Sequence, residues 1–406
     1  MAKKTTKKTA KADANNPLMA AAAAIKASLK KDDWLVNLDS KSLTESVPHL
    51  PSGSMVIDYL IGGKPNSIGV SPCPGIPRGR IMNLYGHESS GKTTLALTIA
   101  AQTIRDGGTV CYIDWENEIV PGYAKTLGVP VEDQSKFMLA QPETLEEGLA
   151  ILWTMASSGV TLIVLDSVGA GVPKAYFEKS IKETGDQGRV GANAAAWSQF
   201  LPKLRNRTQK TNSTIIGISQ IRDSINTMGY GDTFTVQGGK AWKFYSALRM
   251  KLQKIKTEKT TDYSAISNKT EDSVFGIIVK AKLDKCKVAP SQGNEEKFYI
   301  RFGEGIDDIR SILEIAISYN LIKKAGSWLE WSRPDGEQVR LQGTEKLRAL
   351  LAKDPSLVRM LHDQIKPHMA SKSDDAGDDD DDYSDAEGDL EDADLDADIQ
   401  AIIEGV

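Results

Sequence analysis

Residues 80–100 read RIMNLYGHESSGKTTLALTIA, and three signals follow one another within them. Arg80 to Tyr85 is a short β-rich run, the next residues are punctuated by glycine, and LALTIAAQTI from Leu95 to Ile104 carries apolar residues at the spacing of a helix face. Gly86-His87-Glu88-Ser89-Ser90-Gly91-Lys92-Thr93 fits the pattern G-x-x-x-x-G-K-[ST], in the strand–loop–helix context that gives it meaning. Gly86 and Gly91 let backbone N–H groups close around phosphates at a helix N-terminus. Lys92 can neutralise the terminal phosphates, and the Thr93 hydroxyl can ligate Mg²⁺. Thr94 follows as a helix residue. The stretch predicts an ATP- and Mg²⁺-binding loop at the end of a strand in an α/β sheet.

Outward from this loop the rhythm continues. Thr109–Ile113, Thr161–Leu165 and Thr214–Ile218 are short β-rich runs suited to buried parallel strands, and Thr93–Arg105 and Leu145–Ser157 are helical patterns among them. Such alternation predicts a doubly wound, mainly parallel sheet covered on both faces. Ser246–Lys254, Val274–Lys282 and Glu296–Phe302 follow without helices between them and predict an antiparallel extension. From Asp307 the pattern becomes helix (309–318), hairpin (WLEWSRPDGEQVRL, turning at Pro334-Asp335-Gly336) and helix again (344–352 and on to 362). On the N-terminal side, Pro48 to Gly86 is turn-rich, with Pro65, Pro72, Pro74 and Pro77 close together, and reads as a long loop. The expected organisation is a basic disordered segment 1–16, a helix and linker 17–47, an ATPase core 48–306, a small α+β domain 307–370 and a disordered acidic tail 371–406.

Charge is distributed as unevenly as structure. The 406 residues hold 50 Lys+Arg and 55 Asp+Glu, but Ser373 to Val406 contains 16 of the acids and no Lys or Arg. The remaining 372 residues therefore carry 50 basic against 39 acidic side chains. Five lysines (Lys3, Lys4, Lys7, Lys8, Lys11) fall in the first fifteen residues. A basic body makes nucleic acid a candidate partner. No run approaches a membrane span, and three scattered cysteines make neither a disulfide framework nor a zinc spacing. A reducing, cytoplasmic setting is expected.

Two acids complete the chemistry. Asp166 ends TLIVLD, where open α/β sheets place ligands, and suits holding Mg²⁺ through water. Glu116, in Ile113-Asp114-Trp115-Glu116, can orient and deprotonate a water attacking the γ-phosphate. Asp114 and Glu118 compete with it for that role.

The blocks GHESSGKTTL, CYIDWENEIVPGYAKTLGV, LIVLDSVGAGVPKA, STIIGISQIRDSI, GGKAWKFYSALRM, KCKVAP and FYIRFGEGID resemble, in order, those of the bacterial RecA recombinases, over roughly residues 52–355. The resemblance implies a RecA-like phosphate-loop core with an N-terminal docking helix at 17–31. It makes Glu116 the catalytic glutamate, Tyr123 the aromatic that stacks on adenine and Gln220 the sensor of the γ-phosphate. Lys285 and Lys287 become the pair that reaches a neighbouring subunit's ATP site, and Lys243, Phe244 and Arg249 contribute to the subunit contact. Departures from the family pattern are Val120 in place of an adenine-contacting aspartate, Ser219 in place of an asparagine, and Ala195 and Pro202 in place of arginines.

By the same resemblance two loops, about 183–192 and 223–239, line the path of DNA. Arg189, Arg222, Lys240 and the backbone around Gly238 and Gly239 would meet phosphates, Val190 and Ile225 would wedge between bases, and Tyr230 stands at the loop tip. Contacts of this kind read no sequence. The implied function is ATP-dependent polymerisation on single-stranded DNA, homologous pairing with duplex DNA and strand exchange. The implied assembly is a homo-oligomeric helical filament, with a single-strand-binding protein or a repressor as further partners. A ring-forming helicase of the same fold and an ATP-regulated DNA scaffold without strand exchange are the alternatives.

Overall fold

The computed structural model describes residues 17–29, 46–62, 71–177, 186–223, 234–264 and 269–369. The chain divides into units 1–45 and 46–406. In the first lies helix α1 (Pro17–Leu29), thirteen residues of strong helix formers.

The second unit opens with β1 (His49–Leu50), α2 (Met55–Gly62) and β2 (Ile76–Pro77), which pairs antiparallel with β1. The stretch read as one long loop thus holds a helix. MVIDYLIG lacks proline and buries Val56, Ile57, Leu60 and Ile61, so apolar burial outweighs the turn-rich surroundings. Next come β3 (Ile81–Gly86), α3 (Lys92–Arg105), β4 (Val110–Asp114), α4 (Pro121–Thr126), β5 (Phe137–Ala140), α5 (Leu145–Ser157), β6 (Leu162–Asp166), α6 (Lys174–Phe177) and α7 (Asp186–Thr211). They are followed by β7 (Thr214–Asp223), β8 (Phe234–Val236), α8 (Lys240–Tyr245), β9 (Leu248–Ser264), β10 (Lys269–Cys286), β11 (Glu295–Arg301) and β12 (Gly305–Ile306).

The main sheet runs β12-β11-β10-β9-β3-β7-β6-β4-β5, with β8 on β7. From β9 across to β5 every pairing is parallel. β9 enters parallel to β3, and from it β10, β11 and β12 follow in successive antiparallel pairings, the extension that the sequence suggests. Strand period sorts the side chains. Leu162, Val164, Ile216 and Ile218 pack with Leu95, Ile99 and Ala100 of α3 on one face. Ile163, Leu165 and Ile215 pack with Leu149 and Leu152 of α5 and with Trp197, Phe200 and Leu204 of α7 on the other. Helices on both faces of a parallel sheet are the doubly wound arrangement the alternation implies.

The chain ends its described part with α9 (Asp308–Ser318), β13 (Ile322–Ala325), β14 (Trp328–Ser332), β15 (Gln338–Gln342), α10 (Thr344–Lys353) and α11 (Pro355–Met369). These surround a third apolar cluster around Leu313, Trp331, Leu347 and Leu361, which Val56 of α2 joins. The first of the two loops is shorter than read, since α7 is helical from Asp186 and takes in Val190. Its glycines, Gly188 and Gly191, sit in the opening turns of a 26-residue helix, where their propensity cost is outweighed by the buried face further on.

Candidate functional site

Parallel register brings four strand ends to one edge of the sheet. Gly86 of β3 lies beside Gln220 of β7, and Asp114 of β4 lies beside Asp166 of β6. Around Gly86 the chain turns into α3 with Ser89 and Gly91 in left-handed conformations, φ 56° and 88°. Gly86 has no room for a side chain, since a Cβ would sit 2.2 Å from Leu252 O, while Gly91 is held at a positive φ that side chains rarely adopt.

Lys92 opens α3 and is buried, its Nζ donating to the carbonyls of Gly86 at 3.1 Å and His87 at 2.8 Å. Burial lowers its pKa, and the charges of Asp166, Glu116 and Glu88 oppose that shift. The Ser90 hydroxyl in the same loop is buried without a hydrogen-bond partner among the described residues. A buried cation bonded to loop carbonyls, beside an orphaned hydroxyl at a helix N-terminus, fits a phosphate chain. Next along α3, Thr93 Oγ1 donates to Asp166 Oδ2 at 2.9 Å, and Tyr112 OH donates to the same oxygen at 2.7 Å. Burial raises the Asp166 carboxyl to about 6 against these two bonds. A hydroxyl and a desolvated carboxylate at this spacing fit Mg²⁺ held by hard oxygen ligands.

Glu116 is half-buried. Its Oε1 accepts from the Ser167 hydroxyl and, at 3.2 Å, from Gln220 Nε2. Asp114 points elsewhere. It is buried and accepts the N–H groups of Glu116 and Ile119, each at 3.1 Å, and so shapes the turn that presents Glu116. Glu118 is exposed. Thr94, in the first turn of α3, shares a 2.9 Å hydrogen bond with Tyr123 OH, which ties the half-buried ring of α4 to α3.

Gln220 also connects outward. Its carbonyl accepts Gln237 N at 3.0 Å, and with its amide oxygen turned toward it Gln237 meets Arg222 Nε at 2.7 Å. Gly238 and Gly239 follow with φ of 92° and 81° and lead into Lys240, which is exposed at the start of α8. Val190, 57% exposed, lies on α7. Ile225 and Tyr230 lie outside the described residues, as does the side chain of Arg189.

The remaining candidates gather at the opposite edge. Lys285 and Arg249 are register partners, and Arg249 in turn pairs with Asn83 on β3. Arg249 is buried, with its guanidinium 4.5 Å over the Tyr85 ring. Lys285 Nζ donates to the carbonyls of Lys243 at 2.6 Å and Phe244 at 3.0 Å, closing the C-terminal end of α8. Burial, with repulsion from Lys287, Arg249, Arg205 and Lys243, lowers its pKa to about 8. Phe244 projects at 63% exposure and Lys287 is exposed. These residues form one cluster, separate from the phosphate loop of the same chain.

Sequence reasoning passed over Ser167 and Tyr112, which hold the two acids, and Gln237, which joins Gln220 to Arg222. Ser167 directly follows the strand-end acid, a position open to inspection. Tyr112 and Gln237 gave no local signal, because each acts across strands.

The RecA N-terminal domain family matches residues 17–307. The chain is 39% identical over 341 residues to Protein RecA of Helicobacter hepaticus, covering 84% of this chain and 89% of that protein. It is 38% identical over 341 residues to a Protein RecA of Thermus thermophilus, covering 83% and 90%. A crystal structure of the RadB recombinase matches 63% of this chain and 98% of its own at 23% identity, with a TM-score of 0.43. Among the described residues no helix is long and apolar enough to cross a membrane.

Proposed function

Because the chain belongs to the bacterial RecA family, we propose that it is an ATP-dependent recombinase that polymerises on single-stranded DNA, pairs it with homologous duplex and exchanges strands, hydrolysing ATP as it does so. The observation that carries this reading is the bond from Gln220 Nε2 to Glu116 at 3.2 Å. It links the acid at the γ-phosphate position to the strand that runs into Arg222 and the second loop, so hydrolysis chemistry and DNA contact share one element.

Lys92 and the loop N–H groups bind the phosphates, and Tyr123, steadied by Thr94, offers a face to adenine. Thr93 and Asp166 would hold Mg²⁺, which would supply charge neutralisation on the phosphate oxygens. Glu116 orients and deprotonates the attacking water, with the Ser167 hydroxyl fixing its carboxylate. Gln220, able to donate and accept, exchanges its bond to Glu116 for one to the terminal phosphate, and so moves the base of the second loop. Arg222, Lys240 and the N–H groups around Gly238 and Gly239 then meet DNA phosphates, together with Arg189, while Val190, Ile225 and Tyr230 contact bases.

Lys287 and Lys285 act on the neighbouring subunit's nucleotide, and Lys243, Phe244 and Arg249 support that contact. Gly86 lies roughly 17 Å along β3 from Ile81 at the amino end, near which Lys287 N bonds Ala247 O. Lysines placed there act in trans, which makes turnover depend on the filament.

A strand-exchange assay with single-stranded and homologous duplex DNA tests this function, with Lys92→Ala as control. Joint molecules that require ATP and vanish in the variant are expected. ATP-dependent filaments that never form joint molecules would overturn the reading in favour of a scaffold.

A further inference from the structure

A cavity of about 210 Å³ opens at the amino edge of the sheet, lined by Arg80, Arg205, Tyr245, Ser246 and Lys287 among others. Arg205 and Lys287 are exposed at it. Arg205 also lies close enough to Lys285 to repel its charge, as do Lys243, Arg249 and Lys287. Among the described residues no carboxylate forms an ion pair with Arg80, Arg205, Lys285 or Lys287. Like charges held together without a counter-ion cost free energy, and the arrangement is repaid when an anion arrives.

That anion is not the chain's own nucleotide. The cavity lies at the Arg80–Ile81 end of β3 and the phosphate loop at the Gly86 end. At the Gly86 end Glu88 and Glu118 are exposed, and the terminal phosphates of a bound nucleotide would add negative charge there. A basic cavity at one end of the sheet and a phosphate-binding loop at the other can meet across two copies associated head to tail.

We propose that Arg205 is a third trans-acting cation, entering the nucleotide site of the adjacent subunit beside Lys287 and contacting the terminal phosphates there. The inference rests on the shared-site reading given above and adds to it a residue on α7, outside the KCKVAP segment that carries the lysines. Lys285 is already bonded to two α8 carbonyls, whereas the guanidinium of Arg205 keeps its donors for a bidentate grip on phosphate oxygens. Arg80 lines the same cavity.

The experiment is subunit mixing on single-stranded DNA, reading ATP turnover. Arg205→Ala alone is expected to lower turnover roughly 10- to 100-fold, with Arg205→Lys between it and the parent, and with ATP binding by the free subunit unchanged. Lys92→Ala chains alone are inactive but keep Arg205. Filaments mixed in equal amounts should rise above either variant toward about a quarter of parental turnover, because in roughly one interface in four an intact phosphate loop then meets an intact Arg205 from the next copy. The matching mixture of Lys287→Ala with Lys92→Ala tests the shared-site reading by itself.

If the Lys287 mixture recovers and the Arg205 mixture does not, Arg205 is not a trans residue and the proposal fails while the shared site stands. If neither recovers although both co-sediment on DNA, the shared site fails as well. Turnover of Arg205→Ala within twofold of the parent also overturns the proposal. So does an assembly defect of equal size with and without nucleotide, which would place Arg205 on a partner carboxylate such as Glu88 instead.

Discussion

At Glu116 three groups decide what the carboxylate can do: Asp114 shapes the turn beneath it, and Ser167 and Gln220 hold its oxygens. Replacing Glu116 by Gln keeps the size and removes the proposed base, so turnover should fall on the order of 10²- to 10⁴-fold with ATP binding retained. Asp114→Asn should instead lower the melting temperature, since a buried turn acceptor is lost, and a normal melting temperature with abolished turnover would exchange the two roles. Lys285 adds a pH dependence. Its pKa near 8 means that the folded protein discharges it as pH rises past that value, so turnover should fall on the alkaline side near pH 8. Lys285→Arg, which keeps its charge, should move that limb upward in a pH–rate profile. Much of this site was legible from local sequence, because a phosphate loop and a strand-end acid each declare themselves within a few residues. The choice between Asp114 and Glu116 was not, because it depends on which side chain faces β7 and which faces its own backbone.

Among the elements, α8 is the one through which packing reaches both functional edges. It begins at Gly239 and Lys240, ends at the carbonyls that Lys285 holds, and inserts Trp242 against Trp197 of α7 with ring centroids 5.0 Å apart. The space for that indole comes from Gly217 in the middle of β7, where a Cβ would lie 2.3 Å from the Trp242 ring. Gly217→Ala should therefore cost about 1–3 kcal/mol by overpacking and displace α8, weakening filament assembly as well as stability. Trp242→Leu on its own should lose about 2–4 kcal/mol through the cavity it leaves. The double variant should lose less than the sum, since each change relieves the other. Additive losses in denaturant unfolding would show that the two sites are not coupled. A glycine in a β-branched strand and a tryptophan far along the chain gave no sequence signal of their contact. The same limit hid α2, whose Val56 joins the C-terminal cluster while Ile57 and Leu60 join the first. Its apolar run looked like part of a proline-rich loop because the cluster that Val56 joins is built from the far end of the chain.

For the whole molecule, the charge asymmetry that the sequence displays predicts an internal competition. Residues 373–406 lie outside the described residues, but their 16 acids and absence of Lys or Arg stand against a body with 50 basic and 39 acidic residues. The basic groups that the fold gathers at surfaces, Arg205, Lys240, Lys243 and Lys287 among them, are those through which DNA and a neighbouring copy would be held. A polyanion carried on the same chain competes with DNA for such groups at high local concentration. Mg²⁺ binds and screens carboxylates, so the competition weakens as magnesium rises. Deletion of residues 373–406 should accordingly quicken uptake of duplex DNA and lower the magnesium concentration at which uptake is half-maximal. Adding salt should narrow the gap between the two forms, because screening acts on the tail and on DNA alike. Measured as duplex binding by full-length and truncated protein across a magnesium titration, identical curves would remove the tail from this role. A shift that persists when the deleted acids are replaced by an equally long uncharged segment would confirm that charge, and not length, is what the body responds to.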